Sequence, residues 1–263
     1  MIHIPDDAEL GRQKIEPIVM GDESTVVATY EDDQPHGNEY QSEAQLENAF
    51  IKQLQAQAYE YLTINKEEDL VANLRIQLER LNHVTFSDSE WKQFFETSIA
   101  SANDGPAEKT YRLHNDNTQL LHRDDGTTKN IRLLDKTNIH NNHVQVINQY
   151  EVPAGQEGAR TRHANRYDVT VLVNGLPLVQ IELKRRGVAL REAFNQIARY
   201  HRQSYWSQHG LFDYVQVFVI SNGTLTKYYS NTTRPKASDR NKRNVNSFAF
   251  TSWWTDGNNK VIS

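Results

Sequence analysis

Tyr167-Asp-Val-Thr-Val-Leu-Val-Asn-Gly-Leu-Pro-Leu-Val-Gln-Ile-Glu-Leu-Lys-Arg-Arg-Gly187 is the stretch that decides the fold. Val169, Val171 and Val173 alternate along its first run, and Val179, Ile181 and Leu183 along its second, the period of two that marks strands with one buried face. Asn174-Gly175 between them is a strong hairpin signal, because both residue types tolerate positive φ. A loop of Asn174, Gly175 and Leu176 sets Val173 opposite Pro177, Val171 opposite Val179 and Val169 opposite Ile181. Every apolar alternate then shares one face, which a one-residue slip would destroy. The same register sets Asp168 opposite Glu182, with Lys184 two residues further on and on the same face.

Two carboxylates and an ammonium thus meet at the open end of a hairpin. Hard oxygen ligands suit Mg²⁺, and such an ion can hold a scissile phosphate and lower the pKa of an attacking water. Lys184 would neutralise charge growing on the phosphate or orient that water. The plainer reading is a solvated ion cluster at a hairpin mouth, since ion pairs at strand ends are ordinary.

Asp168, thirteen intervening residues, and then Glu182-Leu-Lys184 resemble the signature of the PD-(D/E)xK nuclease superfamily. A second Glu-x-Lys, Glu90-Trp-Lys92, lies in a helical segment with no partner strand, so strand context separates the two copies. After the hairpin, Leu190, Ala193, Phe194, Ile197 and Tyr205 recur at helical spacing over about 190–207. Gln196 and Tyr200 on that helix are an i,i+4 pair sharing one side. Gln-x-x-x-Tyr after the lysine resembles the RecB-like branch of these nucleases, which implies that the pair helps hold DNA near the site. Read without the resemblance, Tyr200 is a core aromatic and Gln196 a surface residue.

The chain has 263 residues, 37% hydrophobic and 24% charged, which suits one sizeable domain with at most a subdomain. No run of about 18 apolar residues marks a membrane span, and the start lacks the regions of a secretory signal. Zero cysteines exclude a disulfide framework and a thiolate zinc site, and fit a cytoplasmic protein. A formal net charge of −5 argues against a general nucleic-acid coat, so any DNA contact is a local patch. Lys184, Arg185, Arg186, Arg191, Arg199 and Arg202 form the patch beside the proposed site. The run Arg234, Lys236, Arg240, Lys242 and Arg243 is a second candidate or a solvated loop.

Residues 1–40 are acidic and punctuated by Pro and Gly, and read as an irregular arm. Ser42-Glu-Ala-Gln45 has the form of a capping box, and Leu46, Phe50, Leu54 and Tyr61 continue an amphipathic helix to about residue 62. Helices follow over 67–81 and, behind Ser87, over 88–99. Lys109 to Leu113, Thr118 to His122 and Ile131 to Leu134 read as an antiparallel elaboration inserted within 63–132. His140 and His143 read as solvated loop histidines. A strand over 144–152 leads into a loop with Arg160, Arg162 and His163, which enters the hairpin at its active end and from which they could touch phosphate. After the Gln196/Tyr200 helix, 214–220 and 225–229 form a second hairpin around Asn222-Gly223. By element order the fold class is α/β, and that order matches the core plan of the nuclease superfamily it resembles, which implies a restriction-endonuclease-like αβββαβ core with a mixed β-sheet flanked by helices.

Ser42-Glu-Ala-Gln-Leu-Glu47, Arg166-Tyr-Asp168, Gly175-Leu-Pro-Leu178, Ile181-Glu-Leu-Lys184 and Gln196-Ile-Ala-Arg-Tyr200, in that order, resemble the amino-terminal part of type I restriction enzyme R subunits. The resemblance implies a nuclease domain over 41–232 that cleaves double-stranded DNA with Mg²⁺ or Mn²⁺. Asp168 and Glu182 would bind the metal, with Lys184 catalytic and Glu47 on the first helix supporting the site (Glu43, one turn earlier, is the fallback). Gln196, Tyr200, Arg185, Arg186 and Arg199 would meet DNA. Methyltransferase and specificity subunits would be partners, and no membrane would be involved. ATP would serve only helicase-like motor domains beyond a basic linker at 233–263, since no Gly-Lys-[Ser/Thr] loop occurs here. Two other readings stay open: a stand-alone repair or junction nuclease, and a non-catalytic docking module of the same fold.

Overall fold

The computed structural model describes residues 14–20, 26–31, 42–152, 165–203, 210–231 and 247–261. Arg160, Arg162, His163, the side chain of Arg202 and the run from Arg234 to Arg243 lie outside them. In chain order, β1 (Lys14–Met20) and β2 (Val26–Glu31) pair antiparallel as a separate two-stranded ribbon. The acidic arm is therefore not irregular throughout. Val26-Val27 and Ile15 supply the β-branched character that the charge of the segment obscures.

Helix α1 (Glu43–Ala56) starts at the expected capping box, Ser42 and Gln45 exchanging side-chain and backbone bonds. β3 (Glu60–Tyr61) is a short edge strand, and α2 (Glu67–Asn82) follows. Next come α3 (Asp88–Phe94), continued by a π-helical turn to Ile99, α4 (Pro106–Asn115), β4 (Thr118–His122) and β5 (Thr128–Arg132). Lys109 to Leu113 are thus helical, with Pro106 at the first turn where its missing N–H costs nothing. The β4–β5 pair is the antiparallel part of this region.

β6 (Val144–Val152), β7 (Asn165–Val173), β8 (Leu176–Leu183), α5 (Leu190–Gln203), β9 (Val217–Ser221), β10 (Thr226–Ser230) and β11 (Ser252–Trp253) complete the order. The main sheet runs β11-β10-β9-β8-β7-β6-β3, mixed because β8 is parallel to β9 and β3 to β6. β11 pairs with β10, so part of 233–263 belongs to the sheet and is not linker.

Helices cover both faces. Ile51 and Leu54 of α1 pack on Val146, Val169, Val171, Ile181 and Leu183, the valine face read from the sequence. Leu70, Leu74 and Leu78 of α2 and Ala193, Ile197 and Tyr200 of α5 belong to the larger core on the other face.

The β7–β8 turn is tighter than expected. Val173 pairs with Leu176 across Asn174 (φ 50°) and Gly175 (φ 82°), and the extra residue bulges out at Leu178 beside Pro177. Proline has no N–H for a ladder and is placed at such irregularities. Beyond the bulge, Val171 meets Val179 and Val169 meets Ile181, so the register at the open end is the expected one. Gly175 is required twice over, by its φ and by the α2 backbone, which a Cβ would approach within 2.6 Å at Leu74. Asn174 ties the turn down, donating to Leu133 O (3.0 Å) and accepting from His143 N (2.8 Å). His143 itself is not a solvated loop residue. It is half-buried, with Nδ1 2.8 Å from Gln77 Oε1, and burial lowers its pKa.

Candidate active site

The site forms where the β7–β8 ladder stops. Past the Val169–Ile181 pair, the Leu183 amide donates to the Asp168 carboxylate at 2.9 Å. A side chain thus replaces the missing backbone partner. Glu182, fully buried, is fixed from the other side by the parallel pairing of its residue with Ile220 of β9. The Lys184 amide donates to Ser221 O at 2.8 Å, and its ammonium lies 3.1 Å from both Glu182 Oε1 and Leu183 O.

The charges do not balance. Burial, and then the Asp168 carboxylate, push the Glu182 carboxyl well above its ordinary range, while Lys184 pulls it down. Asp168 is also raised, chiefly by burial and against the Leu183 amide and Lys184. Glu182 Oε2 is buried and meets no donor. Two neighbouring acids, one amine and an orphaned oxygen form a donor set short of positive charge. A divalent cation held by Asp168 and Glu182 would supply it. Among the described residues no group of three or more His, Cys, Asp or Glu could hold a metal. Two carboxylates still suffice for Mg²⁺, which keeps several waters and commonly takes one or two carboxylates.

A third acid approaches from α1. Glu47 is buried, its pKa raised by burial, and the Asp168 and Arg166 charges both reach it. Asn148 Nδ2 donates to its Oε1 at 2.5 Å, and Gln149 Nε2 donates to its Oε2. Glu43 is exposed instead, accepting from the Arg185 amide at 3.3 Å.

The strand beneath Glu47 is irregular. Gln149 has φ 52°, and the ladder pairs Asn148 with Val169 and Tyr150 with Tyr167 but skips the step between, opposite Asp168. Ile147 and Tyr150 both enter the larger core, although residues three apart on a regular strand face opposite ways. Across the ladder, Tyr167 and Val169 fall in different cores although they are two apart. Both strands therefore change face at the level of the site. A non-glycine residue in this backbone region costs about 1–3 kcal/mol and persists only where its surroundings enforce it.

The expected DNA-facing residues divide. Tyr200 is 1% exposed, packs 4.8 Å from the Tyr167 ring and donates its hydroxyl to Arg166 O at 2.8 Å. Its aromatic face is core, so a direct stacking contact with DNA does not fit it. Gln196 donates to the Tyr200 hydroxyl at 2.5 Å. Arg185 and Arg199 are exposed, Arg199 lying over the Tyr200 ring at 5.5 Å, and Arg186 is half-buried.

The second Glu-x-Lys has a different environment. Glu90 closes the capping box on Ser87 and also accepts from Asp124 N (3.0 Å) and Arg123 Nε (2.9 Å). Asn148 and Gln149 are the residues the sequence reading missed. Their only signal is a break in alternation, where Val146-Ile147 are apolar in succession and two carboxamides follow.

The residues 40–237 match the family model described as type I restriction enzyme R protein N terminus. The chain is 49% identical over 247 residues to the type I restriction enzyme EcoprrI endonuclease subunit of Escherichia coli, covering 94% of this chain and 74% of that one. It is 40% identical over 197 residues to the SsaAORF53P endonuclease subunit of Staphylococcus saprophyticus, covering 73% of this chain but 20% of that relative. No helix among the described residues is long and apolar enough to cross a membrane. With a matching model over most of its length and both of these relatives named as endonuclease subunits, the chain belongs to the type I restriction enzyme R protein N-terminal family.

Proposed function

We propose that this chain is the nuclease domain of a type I restriction enzyme R subunit and cleaves double-stranded DNA with Mg²⁺, Mn²⁺ being able to replace it. The observation that carries the reading is the meeting of Asp168, Glu182 and Lys184 at one strand end, with a buried carboxylate oxygen that meets no donor. α1, β6–β8, α5 and β9 are read as the αβββαβ core, with α2 to β5 as its elaboration. The bound cation would hold the scissile phosphate and acidify the attacking water.

The chain's own residues do the rest. Asp168, held by the Leu183 amide, and Glu182 present oxygens to the cation. Lys184, drawn to Glu182, places a positive charge where the phosphate gains negative charge. Glu47 adds a fixed negative edge on the α1 side. Gln196 is held by Tyr200, and Arg185, Arg186 and Arg199 supply local positive charge for the DNA backbone on a chain that is acidic overall. ATP-driven translocation is assigned to other parts of the full subunit, and methyltransferase and specificity subunits are its proposed partners.

In the assembled enzyme, Asp168→Ala abolishes DNA cleavage while DNA binding and folding persist. A Mn²⁺ soak of crystals places the ion between Asp168 and Glu182. Cleavage at the native rate by the Asp168→Ala enzyme would reject the reading.

A further inference from the structure

We propose that Asn148 and Gln149 are positioning residues that hold Glu47 beside Asp168, and that the left-handed backbone at Gln149 is what brings both carboxamides onto one carboxylate. The proposal rests on the nuclease reading of the site and adds residues to it. On a regular strand, adjacent side chains point to opposite faces. Here both reach Glu47, one to each oxygen, with Gln149 at φ 52° opposite Asp168. With each oxygen bound to a different residue, the carboxylate cannot rotate without losing both bonds.

The amide of Asn148 is itself oriented. The Tyr61 hydroxyl donates to its Oδ1 at 2.8 Å, which leaves Nδ2 facing Glu47. Tyr61 sits on β3, the neighbour of β6, so the edge strand reaches the site through one hydrogen bond. The choice of amides also has a chemical consequence. Lysine or arginine would neutralise Glu47, whereas two carboxamides fix it and leave its negative charge for a cation or a water proton. Outer partners of this kind usually affect metal sites about ten- to hundredfold.

Gln149→Gly keeps the left-handed backbone open and removes the side chain that carries the amide. In the assembled restriction enzyme it lowers the cleavage rate about ten- to hundredfold, with DNA affinity unchanged and the metal-free chain melting no lower than wild type. The Glu47→Ala, Gln149→Gly double variant is no slower than Glu47→Ala alone, and Tyr61→Phe gives a smaller loss in the same direction. Cutting at full rate by Gln149→Gly, or a double variant slower than Glu47→Ala, overturns the proposal. A crystal structure of the metal-free Gln149→Gly chain separates this idea from the nuclease reading. Glu47 turned away from Asp168, together with the slowed cleavage, supports positioning, and Glu47 unmoved rejects it. Native-rate cleavage by Asp168→Ala rejects only the nuclease reading.

Discussion

Glu90-Trp-Lys92 and Glu182-Leu-Lys184 are the same tripeptide pattern in two settings. Glu90 opens a helix, and every bond it makes compensates a group that folding would otherwise leave wanting: the Ser87 and Asp124 amides and the Arg123 guanidinium. Lys92 is left exposed. Glu182 ends a central strand, where burial and a second acid work against its charge, and Lys184 is drawn in beside it. One glutamate is satisfied by the fold, and the other is left short by it. Chemistry is expected where the fold leaves a charge uncompensated, and not where the motif merely occurs.

The contrast can be broken most sharply through the lysines. In the assembled enzyme, Lys184→Ala lowers the DNA cleavage rate by roughly 10²–10³-fold, and Lys92→Ala leaves it unchanged. Equal rates for the two variants would end the distinction. The glutamates come next. Urea denaturation of Glu90→Gln should show a loss of about 2 kcal/mol, from the weakened cap and the partly buried ion pair with Arg123. Glu182→Gln should shift the metal-free chain the other way, by about 1 kcal/mol, because it removes a charge that the native state opposes. A destabilised Glu182→Gln protein would show that its carboxylate is structural after all.

The smallest effect is the pH dependence. Because the folded state raises the Glu182 carboxyl above its ordinary value, the native chain binds more protons there than the unfolded chain does. Its contribution to stability is therefore largest at the acid end and falls as pH rises through the raised value. Melting curves of the metal-free chain should show that fall, Glu182→Gln should flatten it, and added Mg²⁺ should offset it most at the alkaline end.

Much of this arrangement was legible in residues alone. Valine alternation and Asn174-Gly175 specify the hairpin and its Val171–Val179 and Val169–Ile181 pairs, which leave Asp168 and Glu182 at one end of the ladder, because only one register buries all the apolar alternates. The Ser42 and Ser87 capping boxes mark two helix starts through local bonds. The bulge at Leu178 was hidden because a three-residue loop, or a two-residue loop with one bulge, gives the same pairing beyond Val179. Gln149 was hidden for a different reason: glutamine has no preference for positive φ, so its conformation comes from contacts distant in sequence. The pairing of Ser252–Trp253 with Lys227 and Tyr228 is likewise long-range, and local pattern does not report it.

The main sheet ends on both sides in strands of two residues, Glu60–Tyr61 and Ser252–Trp253. A long, flat margin would offer a row of unsatisfied amides and carbonyls as a template for a foreign strand. Among the described residues, stubs of this length offer little of one, and next to β3 the chain goes on bonding to β6 without forming strand, the Leu62 amide donating to Val146 O and the Glu151 amide to Asn65 O. Fusion of sheet to sheet with copies of itself is thereby disfavoured, and contacts with other chains fall to side-chain surfaces, where selectivity can be encoded.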